Sequence, residues 1–117
     1  LVSRCTFSAA LVTAALLKRH GGEKTLLIGE TMGDNPAFWA ETGSMVLPHS
    51  GISVDYSTQF EDWGGGCDSA DRCYWANAAF GGEPVSLAPD VTVIPSFGDY
   101  AAGRDPVLDR ALSLASS

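Results

Sequence analysis

A serine stands where this chain turns from an extended start into a helix. Leu1-Val2-Ser3 reads as extended, Ala9 to Leu17 as an apolar helix, and Ser8 lies between them in Arg4-Cys5-Thr6-Phe7-Ser8-Ala9-Ala10. The start of a helix offers free N–H groups and the positive end of the dipole. A hydroxyl there suits an acyl-transfer nucleophile with an oxyanion hole beside it. It also suits an N-cap, in which the hydroxyl accepts a bond from its own helix. The nucleophile reading needs a base to take the serine proton. His20 follows the helix, more than two turns from Ser8 and out of reach, and reads as a cation at the helix end. His49 reads as a solvated turn residue. Cys5, His20 and His49 lack paired metal-ligand spacing, so no metal or other cofactor is expected. Cys5 is expected to be small and buried beside the turn.

Elements must position these residues. The run from Ser8 to Arg19 is apolar nearly all round, which predicts a buried helix ended by Gly21-Gly22. Thr25 to Ile28 reads as a short buried strand. Strand, helix and strand in quick succession predict a right-handed crossover in an α/β layer. Gly29 to Pro36 is a loop of turn formers. A strand within Phe38 to Leu47, a turn at Pro48-His49-Ser50-Gly51 and the alternation of Ile52, Val54 and Tyr56 predict a half-buried hairpin. Residues 58–84 then read as a long loop inserted between strands. Its Trp63, Tyr74, Trp75 and Phe80 either pack it down or line a substrate cleft. Cys67 and Cys73, five residues between them, are either bridged or two free thiols. Val91 to Ile94 is the next strand. Asp105 and Pro106 start a last helix whose buried face is Val107, Leu108, Ala111, Leu112 and Ala115.

The 117 residues suffice for one small domain with a modest core. Net charge is −7, and the seven basic residues form no stripe for nucleic acid. No stretch reaches the roughly 20 apolar residues of a membrane span. The compartment is not legible, although a bridge between the loop cysteines would fit an exported protein.

The segment around Ser8 resembles the nucleophile segment of the C-terminal processing (tail-specific) serine peptidases, in the branch with tricorn-type and retinoid-binding-protein-like domains. Further similar segments follow in the family's order. They are Leu27-Ile28-Gly29-Glu30-Thr31-Met32-Gly33, Val46-Leu47-Pro48-His49-Ser50-Gly51-Ile52, Ala88-Pro89-Asp90-Val91-Thr92-Val93 and Asp99-Tyr100-Ala101-Ala102-Gly103-Arg104-Asp105-Pro106-Val107-Leu108. The resemblance spans nearly the whole chain. It implies an α/β fold, the ClpP/crotonase-like spiral, of which residues 1–117 would be the C-terminal part. Ser8 would be the nucleophile and the Ala9 N–H one oxyanion donor. The second donor would come from the upstream half of the same domain. The lysine base of many members has no counterpart in Gly33-Asp34-Asn35, and Lys24 does not match its place. Leu11 stands where some members carry glutamate, which fits the branch whose base is an upstream histidine. Glu30 would orient the base or the nucleophile loop, or simply accept loop N–H bonds.

Three functions compete. The first is a serine endopeptidase acting on a peptide or protein substrate, this chain alone being inactive and marginally stable. The second is a catalytically inactive binding or scaffold protein on the same fold. The third is a crotonase-like acyl-CoA enzyme, which needs two backbone donors but no serine at this turn.

Overall fold

In the computed structural model, which describes residues 1–67, 72–80 and 82–116, the chain is a mixed α/β protein with small sheets. It divides into two units, Leu1–Asn35 with Ser86–Ser117, and Pro36–Val85.

Three parallel segments build the sheet of the first unit. Val2 bridges Gly29, with Val2 N–H donating to Ile28 O (2.9 Å) and Glu30 N–H to Val2 O (3.1 Å). Strand β1 (Ile28–Gly29) pairs in parallel with β4 (Val91–Thr92). Helix α1 (Ala9–Gly21) connects the Val2 segment to β1. A Cβ on Gly29 would overlap Val2 O, so only glycine lets these backbones meet. The core of the unit gathers Val2, Leu11, Ala14, Ala15, Leu27, Ile28, Met32, Leu87 and Val107.

Both long helices of this unit are more one-sided than their composition predicts. α1 buries Leu11, Ala14 and Ala15 but leaves Leu17 59% exposed. The strands of this unit are two residues long, too short to cover more than one stripe of a helix. In α4 (Pro106–Ala115), Asp105 Oδ1 caps the N–H groups of Val107 (3.1 Å) and Leu108 (2.9 Å). Of the expected buried face, Val107 is buried, while Leu108 and Leu112 are exposed for the same reason. Helix α3 (Phe97–Ala101) starts with a reciprocal Ser96–Asp99 capping box.

An ion pair ties α1 to the sheet. Lys18 Nζ donates to both oxygens of Asp90 (2.6 and 2.7 Å) and to Thr25 O (3.0 Å), and Asp90 Oδ2 also accepts from Leu27 N–H (2.7 Å). The lysine, then the Leu27 amide, hold the Asp90 carboxyl below its ordinary range. A carboxylate depressed in the folded state stabilises above its unfolded value and loses that contribution as pH falls through the folded one. Wild type should therefore lose denaturant midpoint between pH 7 and acid pH more steeply than Asp90→Asn. Parallel urea titrations check this, and equal slopes would refute it.

The second unit is a long hairpin with a packed base. β2 (Ala37–Val46) pairs antiparallel with β3 (Ser53–Asp62), from Ala37 opposite Asp62 to Val46 opposite Ser53. Trp39 faces Phe60, ring centroids 5.5 Å apart. Ile52, Val54 and Tyr56 are exposed rather than half-buried, because the buried side chains of this unit cluster at the other end of the strands.

Residues 58–84 are not the structureless loop expected; residues 68–71 and Gly81 of that stretch lie outside the described residues. β3 continues to Asp62, and residues 72–74 pair with it: Phe60 N–H donates to Arg72 O (2.7 Å) and Tyr74 N–H to Phe60 O (2.9 Å). Helix α2 (Trp75–Phe80) follows. Trp63 and Asn77 are each 1% exposed. Trp63 Nε1–H donates to Glu61, itself buried, and Asn77 bonds both backbone groups of Asp62 (2.9 and 3.2 Å). Trp63 thus packs this segment down, whereas Trp75 and Phe80 are exposed.

Cys67 and Cys73 are bridged, with Cα atoms 5.9 Å apart. The bridge closes a short loop against β3, so in chain-entropy terms it stabilises by about 2 kcal/mol. The Cys67→Ser/Cys73→Ser variant should lose about that much by guanidinium titration. An unchanged midpoint would show that the bridge constrains nothing.

Candidate active site

The Ser8 turn is built by polar residues that leave the sheet after Val2. Thr6 N–H donates to Ser3 O (2.8 Å), Ser3 N–H to Thr6 Oγ1 (3.0 Å) and Cys5 N–H to Ser3 Oγ (3.2 Å). This tight turn points outward, so Cys5 is an exposed free thiol and not the buried residue expected.

Ser8 itself has φ 53° and ψ −128°, and its side chain makes no capping bond. A non-glycine residue with positive φ is uncommon, and strain of this kind costs about 1–3 kcal/mol unless the surroundings hold it. A normal N-cap has β-region dihedrals and a hydroxyl bonded to the N2 or N3 amide. Ser8 has neither. Its carbonyl accepts from Val12 N–H (3.1 Å), and Ala10 N–H bonds Phe7 O (3.2 Å). Among the described residues the Ala9 N–H has no hydrogen-bond acceptor. An exposed hydroxyl therefore stands beside a free amide at the positive end of a 13-residue helix.

The loop after β1 clasps this turn. Arg4 Nη2 donates to Glu30 Oε1 (2.8 Å), Gly33 N–H to Thr6 O (3.2 Å), and Ser8 N–H to Asp34 Oδ2 (3.1 Å). A Cβ on Gly33 would overlap Arg4 O, so glycine permits the close approach. Glu30 is thus partnered with Arg4 at the start of the turn. Its side chain is 16% exposed, and the Arg4 bond holds its carboxyl below the ordinary range.

No lysine or histidine hydrogen-bonds Ser8 among the described residues. Lys18 is bound to Asp90 and Thr25. His20 is exposed in the last turn of α1, about 18 Å along the axis from Ser8 at 1.5 Å per residue. Lys24 ends the 3-10 turn Gly22–Lys24, and His49 sits in the hairpin turn of the second unit.

Asp34, whose carboxylate accepts from the Ser8 N–H, is the residue of this turn that sequence reasoning missed. The signal was present: a short acidic side chain in a Gly-Asp-Asn turn, able to bond a nearby amide. Compared with known proteins, the chain matches no family model, no curated protein and no solved structure.

Proposed function

We propose that this chain carries the nucleophile of a serine-type peptidase, on a fold of the ClpP/crotonase-like spiral type. The supporting observation is the Ser8 conformation: positive φ, a hydroxyl withheld from capping, and the unpaired Ala9 N–H beside it. A strained strand-to-helix turn that presents a serine is how hydrolases of unrelated fold expose this nucleophile. Ser8 Oγ bonds the carbonyl carbon of a peptide or protein substrate, and its proton passes to a base and on to the leaving amine. Water then releases the acyl group from Ser8. The Ala9 N–H stabilises the oxyanion. The base and the second donor come, as the family resemblance implies, from the preceding half of the same domain.

A non-catalytic binding protein is the second reading. It is favoured by the commitment of Lys18 to Asp90 and by His20 lying at the far end of α1. Treatment of the full-length protein with a fluorophosphonate separates the two. Ser8 Oγ should bond phosphorus as fluoride leaves, and peptide mapping should place the adduct on Ser8. An unlabelled Ser8 rejects the peptidase.

A further inference from the structure

Resting on that reading of Ser8, we propose that Asp34 is a positioning residue, which holds the Ser8 backbone in the nucleophile-presenting conformation and out of the N-cap conformation. Two observations meet here. Ser8 is one of two non-glycine residues with positive φ among those described. Its N–H donates to Asp34 Oδ2 at 3.1 Å, a charge-assisted bond that fixes the plane of the Phe7–Ser8 peptide. The carboxylate is itself set in place. Its other oxygen accepts from Asn35 N–H (3.0 Å), and the loop is anchored one residue earlier by Gly33 N–H on Thr6 O.

Without this bond the Ser8 N–H loses its acceptor, and the turn keeps bonds on its neighbours and on the Ser8 carbonyl, Gly33 N–H on Thr6 O, Ala10 N–H on Phe7 O and Val12 N–H on Ser8 O. In a turn relaxed to negative φ the hydroxyl can accept from its own helix, as an ordinary N-cap does. Relaxation would recover backbone strain and gain a cap. Asp34 therefore decides between two uses of one hydroxyl, and its removal should cost reactivity rather than stability. A merely structural carboxylate would show the opposite.

The test uses full-length protein and the rate of fluorophosphonate adduct formation at Ser8. Asp34→Ala should slow labelling by about 100-fold, the scale on which a misplaced group loses rate, with the thermal midpoint close to wild type. Asp34→Asn should restore part of the rate, because its amide oxygen can accept the Ser8 N–H although its NH2 cannot accept from Asn35. Labelling of Asp34→Ala at the wild-type rate overturns the inference and leaves the peptidase reading standing. So does a rate loss accompanied by a collapsed midpoint, which makes Asp34 a residue of the fold. An Asn variant as slow as Ala also overturns it, since an oxygen able to accept the Ser8 N–H would then not position the serine. Wild-type protein that forms no adduct at Ser8 sinks the peptidase reading itself, and the inference with it.

Discussion

Ser8→Ala in the full-length protein is expected to abolish peptide hydrolysis while the denaturant midpoint stays near wild type. Loss of a serine nucleophile costs a hydrolase about a million-fold in turnover, because the acyl-enzyme route disappears. The stability half of the prediction is the more discriminating. Ser8 makes no capping bond, so alanine removes no hydrogen bond from α1. Alanine also carries a Cβ, so the strain at φ 53° is carried over nearly unchanged. A serine acting as a cap would lose about 0.5–2 kcal/mol on the same substitution and spare activity. Paired measurement of turnover and urea midpoint distinguishes the outcomes. A variant that keeps its turnover ends the assignment of Ser8 as nucleophile.

Trp63→Ala should destabilise the Pro36–Val85 unit by about 3–5 kcal/mol, the range for deleting a large buried aromatic side chain. Trp63 is 1% exposed and is the largest side chain buried in that unit. Its indole N–H also satisfies the buried Glu61 carboxylate, which would be left short of a partner. Trp63→Phe separates the two contributions. It keeps most of the ring volume and removes only the donor, so it should cost about 1–3 kcal/mol. Hydrogen exchange at the Phe60 and Trp63 amides, both in the ladder of this unit, reports the change. Protection unaltered in Trp63→Ala would show that the hairpin base is held by other contacts.

The exposed apolar surface affects how both experiments are handled. Phe97 and Tyr100 are 82% and 81% exposed, and Leu17, Leu112 and Ile52 are also open. Surface of this kind favours association. Measurements should be repeated across protein concentrations, and midpoints that rise with concentration would report self-association.

Local chemistry made several elements readable from the residues alone. Ala9 to Leu17 is helical because its side chains favour helix, and Gly22 ends it, its N–H bonding Lys18 O. Asp105 and Pro106 start α4 by capping and by the fixed φ of proline. The hairpin follows from period-two alternation around the Pro48–Gly51 turn. Burial was harder to read, since an apolar side chain is buried only if another element covers it. Leu17, Leu108 and Leu112 are apolar by type and exposed by position. The 58–84 segment was misread because its order is non-local. Residues 72–74 pair with β3 through backbone bonds, and the Asn77 side chain bonds both backbone groups of Asp62; neither leaves a periodic trace.

The site divides along the same line. The residues alone show that a serine precedes an apolar helix, that Gly33-Asp34-Asn35 lies in a loop of turn formers, and that Cys67 and Cys73 are near enough in sequence to close a loop. Whether that serine caps its helix is visible only in the folded chain, where its side chain makes no capping bond. Its hydroxyl is kept from its own helix by the backbone dihedrals of one residue, whose N–H bonds a carboxylate 26 positions away. The same holds for Glu30, whose partner Arg4 is also 26 positions distant. Periodicity and propensity report preferences within a few residues, whereas a strained turn persists only when contacts far along the chain over-determine it.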